Sequence, residues 1–72
     1  MTPNTTCPEL ADTALAAPNL WGQVYLGCRW LRGLSHEDSE VIASEADKAF
    51  EGDPCVSLDD LHYTINEIAR AD

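Results

Sequence analysis

The 72-residue sequence contains no run of about 18 apolar residues, the length that a membrane-spanning helix requires. Its first six residues also lack the basic and apolar blocks of a secretory signal peptide. These two absences predict a cytoplasmic protein that does not enter a membrane.

Cysteine is scarce, and the spacing of the cysteines matches neither a disulfide scaffold nor a zinc-binding motif. Cys7, Cys28 and Cys55 are an odd number of thiols without a Cys-x-x-Cys pair, so neither a disulfide scaffold nor a structural zinc site is indicated. A calcium loop within 47–61 fails too, because Leu58 stands where a bidentate glutamate is needed. We therefore expect no metal and no cofactor, and we expect the thiols to be small buried groups.

The chain is short for a catalytic protein. A domain of this size buries only about 60% of the surface of its unfolded chain, which argues against a deep pocket for cofactor and substrate together. Cysteine, serine and histidine all occur, but no spacing places a nucleophile beside His36 or His62 with an orienting group. The sequence predicts a protein that is not an enzyme.

Negative charge is abundant, and its whole excess over positive charge lies in one half of the chain. The sequence has 13 acidic residues against four lysines and arginines, a net charge of −9. Residues 1–36 are neutral, with two acids and two bases, whereas residues 37–72 carry eleven acids and two bases. Phosphate backbones and anionic lipids repel such a surface, and basic proteins attract it. We therefore predict a basic protein partner, without direct binding of nucleic acid or membrane.

Helix-start signals recur along the sequence. Thr6 is a predicted N-cap for a short helix over 8–17, and Ser35 is a predicted N-cap for a longer amphipathic helix. Ser57 caps the last helix, with Asp60 at the capping-box position three residues later. Each signal places acidic residues near a helix N-terminus, where the helix dipole favours them.

The segment 20–34 is apolar on nearly every side, which predicts that it is buried. Asn19 and Gly33 fit the two ends of a helix, whereas alternation from Val24 to Trp30 fits a strand. We favour the helix because a lone strand would have no partner elsewhere in the chain.

Together these segments predict an all-α fold. A chain of this length forms one domain at most. We expect a small single-domain bundle of three to four short helices over residues 7–72, preceded by a flexible N-terminal tail over residues 1–6.

The helix that follows Ser35 has two unlike faces. Its predicted apolar side holds Ile42, Ala46, Ala49 and Phe50, and carboxylates lie opposite. Residues 37–60 hold nine acids and one lysine, and a basic partner would relieve their mutual repulsion. The alternative is a solvated face without a partner. The carboxylates predicted to bind a partner are Glu37, Glu40, Asp47, Glu51, Asp53, Asp59 and Asp60.

Two hypotheses for function follow. In the first, the protein is a small non-enzymatic inhibitor that presents carboxylates where a nucleic acid presents phosphates, and it occupies the basic groove of a DNA- or RNA-handling protein. Phage-encoded anti-restriction and anti-CRISPR proteins resemble it in size and acidity, but no motif identifies a family. In the second, it is a helical adaptor or antitoxin-like subunit that binds a protein through the apolar segment 20–34. Both hypotheses are compatible with a homo-oligomer.

Overall fold

The computed structural model describes residues 12–70, and every regular element in this range is helical. The predicted all-α single-domain bundle is confirmed. The predicted tail over 1–6 and the first part of the helix predicted over 8–17 lie outside the described residues. None of the described helices is long and apolar enough to cross a bilayer. The elements are α1 (12–15), α2 (Leu20–Leu26), a π-helical turn (Gly27–Leu31), α3 (His36–Ala49) and α4 (Leu58–Arg70).

The segment 20–34 is helical, as favoured, but its last turn is wider than an α-helix. Asn19 caps α2 through its side-chain oxygen, which accepts a backbone N–H at 2.7 Å. At the other end, the N–H of Arg32 donates to the carbonyl five residues earlier at 3.2 Å, which defines the π-helical turn. Gly33 then adopts a positive φ of 67°, and the N–H of Leu34 reaches the carbonyl of Cys28 at 2.9 Å. This closes the helix in the way predicted for Gly33.

The later helices begin at their predicted caps. The hydroxyl of Ser35 accepts from the N–H of Asp38 at 3.2 Å, and the hydroxyl of Ser57 accepts from the N–H of Asp60 at 3.2 Å. The Asp60 carboxylate reaches back to the N–H of Val56 at 3.4 Å, one residue before the cap itself. The α4 start is therefore a variant of the predicted capping box.

The core lies between α2, α3 and α4. Apolar side chains of the segment 20–34 form much of this core. The large apolar side chain of the segment that stays exposed is that of Trp30, with 41% of its surface accessible. Of the nine apolar residues in this segment, Leu20, Val24 and Cys28 are buried, five are partly buried and Trp30 is exposed, so its predicted burial is confirmed only in part. The buried apolar side chains are Ala14, Leu20, Val24, Cys28, Ile42, Ala43, Ala46, Leu61, Ile65 and Ile68.

The buried face of α3 is rotated from its predicted position. Ile42 and Ala46 are buried as expected, but Ala49 is exposed, and Ser39 and Ala43 are fully buried. Small side chains on this face allow α2 to pack closely against α3. Packing between the two helices therefore sets the orientation of α3, and the apolar pattern of α3 alone gave the wrong rotation.

Contacts between the segment 20–34 and α4 include a close approach and a polar clamp. A Cβ added at Gly27 would lie 3.0 Å from Cδ1 of Ile65, so the missing side chain makes room for α4. Arg32 extends across the same interface, where Nη2 lies 2.9 Å from Nδ1 of His62 and 2.8 Å from Oδ1 of Asn66. Arginine only donates hydrogen bonds, so Nδ1 of His62 accepts.

Gln23 joins three parts of the chain from a buried position in α2, where 2% of its surface is exposed. Its Nε2 donates to the carbonyls of Leu15 at 3.1 Å and Cys55 at 3.0 Å. Its Oε1 accepts from the N–H of Cys55 at 2.6 Å. Both amide protons are thus used, which offsets the cost of burying this polar group. The three bonds hold the end of α1 and the α3–α4 loop onto α2.

Replacing Gln23 with leucine should destabilise the protein strongly. Leucine fills a similar space with apolar atoms. It leaves the carbonyl of Leu15 and the N–H and carbonyl of Cys55 without these hydrogen-bond partners. We expect a loss of roughly 2–4 kcal/mol in the free energy of unfolding, measured by urea denaturation. The control, Glu45→Gln on the exposed side of α3, should change it by less than about 0.5 kcal/mol. An unchanged urea midpoint for Gln23→Leu would contradict the role of the amide.

Candidate functional site

The seven carboxylates predicted to bind a partner lie along α3, in the α3–α4 loop and in the first turn of α4. All are exposed except Asp47, which is partly buried. We refer to them as the acidic surface: Glu37, Glu40, Asp47, Glu51, Asp53, Asp59 and Asp60.

Few cations balance the acidic surface. Within residues 12–70, two pairs lie within salt-bridge distance: Glu67–Arg70 at 3.6 Å, and His36–Glu40 at 3.3 Å, which is ionic only when the imidazole is protonated. Both pairs are exposed, and such pairs contribute about 0–1 kcal/mol. Glu40 is thus the one member of the acidic surface with an ion-pair partner in this part of the chain. The other carboxylates keep their charge available to a second molecule.

Aromatic side chains of α2 border the acidic surface. The hydroxyl of Tyr25 lies 2.7 Å from Nδ1 of His36, whose Nε2 faces Glu40. Trp21 stacks on Tyr25 with ring centroids 5.1 Å apart, and its Nε1–H donates to the hydroxyl of Ser44 at 3.2 Å. Sequence reasoning placed Glu40 opposite the core and missed these contacts. The i, i+4 spacing of Trp21 and Tyr25 was the signal that they share one face of α2.

The row Tyr25–His36–Glu40 has the composition of a proton relay, but its setting differs from that of a catalytic site. Its hydrogen bonds are exposed, and none of the three residues lines the cleft beside Tyr63 or the cleft beside Val41. We therefore interpret the row as a contact that holds α2 against α3.

A cleft of about 180 Å³ opens between the α3–α4 loop and α4. It brings together two members of the acidic surface, Asp53 and Asp60, which sequence reasoning could not place side by side. The rings of Phe50 and Tyr63 lie on the same lining, and no lysine or arginine from the described part of the chain contributes to it. Tyr63 is 59% exposed. We refer to this site as the Tyr63 cleft, and its lining includes Phe50, Asp53, Cys55, Asp60, Tyr63 and Thr64.

The turn that leads into the Tyr63 cleft has two successive residues in the left-handed region. Glu51 has φ 54° and Gly52 has φ 73°. The N–H of Gly52 donates to the carbonyl of Asp47 at 3.0 Å, which ends α3, and the N–H of Asp53 donates to the carbonyl of Phe50 at 3.1 Å. Glycine adopts this conformation freely, whereas Glu51 pays about 1–2 kcal/mol for it. The turn therefore holds one member of the acidic surface in a strained backbone conformation.

Both cysteines in the described range are free thiols. Burial raises the pKa of Cys28 from 9.0 to about 11, and the nearby positive charge of Arg32 opposes that rise. Burial also raises the pKa of Cys55, despite a hydrogen bond to Thr64 that lowers it. Raised pKa values disfavour the reactive thiolate, so neither thiol is set up as a nucleophile. Cys28 is a buried apolar group as predicted, Cys55 is only partly buried, and Cys7 lies outside the described residues.

No metal-binding cluster is present within residues 12–70, because no three His, Cys, Asp or Glu side chains there are placed to share an ion. Comparison with protein families, with curated proteins and with solved structures found no match to the chain. The proposal for its function therefore depends on the chemistry of the acidic surface and the Tyr63 cleft.

Replacing Glu51 with glycine should stabilise the protein. Glycine removes the strain of the left-handed conformation, so we expect a gain of up to about 1 kcal/mol in the free energy of unfolding. The matched control is Glu45→Gly inside α3, where glycine should cost about 0.5–1 kcal/mol. Urea denaturation should therefore show that glycine raises the free energy of unfolding at position 51 and lowers it at position 45. Destabilisation of both variants to the same extent would contradict it.

The raised pKa of Cys28 predicts a loss of stability in alkaline solution. The thiol of the unfolded chain ionises above pH 9.0, whereas the native thiol stays protonated until about pH 11. The unfolded state therefore binds fewer protons in this range, and the free energy of unfolding falls as pH rises. Urea denaturation across the range should show a steeper fall for the wild type than for Cys28→Ala. If the free energy of unfolding fell equally steeply with pH in the two proteins, Cys28 would not be the source of the loss.

Proposed function

We propose that the protein is a non-enzymatic module that binds the basic surface of a DNA- or RNA-handling protein and inhibits it by mimicking nucleic-acid phosphates. One observation carries this proposal: five carboxylates of the acidic surface are exposed and form no ion pair within the described residues. Two of the seven carboxylates are not counted: Asp47, because it is partly buried, and Glu40, because it pairs with His36.

The arrangement of these charges supports a partner rather than solubility alone. Surfaces that serve solubility intersperse both signs, but Lys48, the one basic residue within residues 37–60, forms no ion pair with these carboxylates. Residues three or four apart on a helix lie about 5–6 Å apart at Cβ, so like charges along α3 repel one another. A basic groove would remove this repulsion and would gain attraction at long range.

Burial of the segment 20–34 argues against the second hypothesis, a helical adaptor that binds through this segment. Its apolar side chains pack into the core or against it, so only Trp30 is left as a large exposed group. The acidic surface is therefore the better-supported interface. As a counter-defence inhibitor of the anti-restriction or anti-CRISPR type, the protein would act in the cytoplasm, where its target handles nucleic acid.

Neutralising two carboxylates of the acidic surface should weaken partner binding, whereas neutralising two elsewhere should not. The test variant is Glu51→Gln with Asp59→Asn, and the control is Glu45→Gln with Glu67→Gln. Both change the net charge from −9 to −7, since each removes two negative charges. Each immobilised protein is exposed to cell extract, and retained proteins are identified by mass spectrometry.

The wild type and the control should retain nucleic-acid-binding proteins at low salt and release them as salt rises, because screening weakens attraction between exposed charges. The test variant should retain several-fold less. Equal retention by the two double variants, or retention that salt leaves unchanged, would show that the acidic surface is not the interface. Circular dichroism of each variant checks that its helices are intact.

A further inference from the structure

The Tyr63 cleft combines two features that suit a cationic side chain. Asp53 and Asp60, two acidic residues, lie on its lining, and Phe50 and Tyr63 are the aromatic residues there. No described lysine or arginine lies there to neutralise the carboxylates. We infer that the cleft receives the guanidinium group of an arginine from the basic partner. This inference rests on the proposed function and names the group that the partner inserts.

The Asp60 carboxylate retains capacity for such a ligand. One of its oxygens accepts a single long bond, 3.4 Å from the N–H of Val56. An ionised carboxylate offers about four acceptor positions, so most of those on Asp60 are free for a second donor. The negative charge of Asp60 also acts on the cleft interior, since it adds to the rise in the pKa of Cys55.

The exposed ring of Tyr63 favours arginine over lysine. Guanidinium is planar, so one face stacks on an aromatic ring while its edge donates two parallel hydrogen bonds to a carboxylate. The compact, strongly hydrated ammonium group of lysine cannot make both contacts in this way. A cleft that places an exposed tyrosine beside two carboxylates therefore matches the shape and the charge of arginine.

Internal contacts fix the cleft before any partner arrives. The backbone of Cys55 is held by two hydrogen bonds to the buried amide of Gln23. The Sγ atom of Cys55 lies 3.7 Å from Oγ1 of Thr64 on α4, which links the loop to the opposite wall. A wall that is already ordered adds little conformational entropy cost when a ligand binds.

The test is an NMR titration of the full ¹⁵N-labelled chain with a capped glycine–arginine–glycine peptide, beside the corresponding lysine peptide. The arginine peptide should cause saturable shifts at the residues that line the Tyr63 cleft, and the lysine peptide should bind more weakly. Tyr63→Leu should lower the affinity for the arginine peptide by about fivefold, because it removes the aromatic face. Tyr63→Phe should bind as the wild type does, and Asp53→Asn should bind more weakly.

Glu45→Gln is the matched control, because it also removes one negative charge from an exposed residue, and Glu45 neither lines the cleft nor belongs to the acidic surface. Equal losses for Asp53→Asn and Glu45→Gln, or wild-type affinity for Tyr63→Leu, would overturn the arginine site. The proposed function has a separate readout, retention of nucleic-acid-binding proteins from extract. If the Glu51→Gln, Asp59→Asn variant loses that retention while Tyr63→Leu binds the peptide normally, the acidic interface stands and the arginine site does not. If retention by that double variant is unchanged, the proposed function fails instead.

Discussion

Two carbonyl groups and one N–H group from separate parts of the chain meet the side-chain amide of Gln23 inside the bundle. An apolar side chain at this point would fill space but leave these three backbone groups without these partners, at a combined cost of roughly 2–4 kcal/mol. The amide fixes Cys55, and Cys55 sets the path of the loop that carries Asp53 towards α4. The position of the α3–α4 loop, which carries Asp53, thus depends on one uncharged residue in the neutral half of the chain.

Local signals were sufficient to predict most of the helices. Asn19, Ser35 and Ser57 act within one turn of the residues that they cap, so their effect is readable without knowing the rest of the fold. Gly33 likewise closes its helix through its own backbone conformation. The exposure of most of the acidic surface followed from the same logic, because charged side chains at helix starts and in turns are rarely buried without a partner.

Features that depend on contacts between helices were not predictable in this way. Rotation of α3 follows from how its small residues fit α2, and no local sequence pattern predicts the π-helical turn. The bridge made by Gln23 joins residues 32 positions apart. The Tyr63 cleft forms only once that loop is in place, so sequence reasoning found Asp53 and Asp60 as separate charges and gave Tyr63 no role. Periodicity shows which residues of one helix share a face, but not where the neighbouring helix lies.

Competition with DNA tests most directly whether the acidic surface substitutes for phosphates. A basic nucleic-acid-binding protein captured by this chain would be loaded with fluorescently labelled duplex DNA and titrated with the chain, with anisotropy reporting bound DNA. Mimicry predicts that the chain displaces the DNA completely at low salt, and that rising salt weakens the partner's binding of each ligand measured alone, because both depend on the same basic charges. A stable complex in which the partner holds DNA and this chain at once would contradict the account.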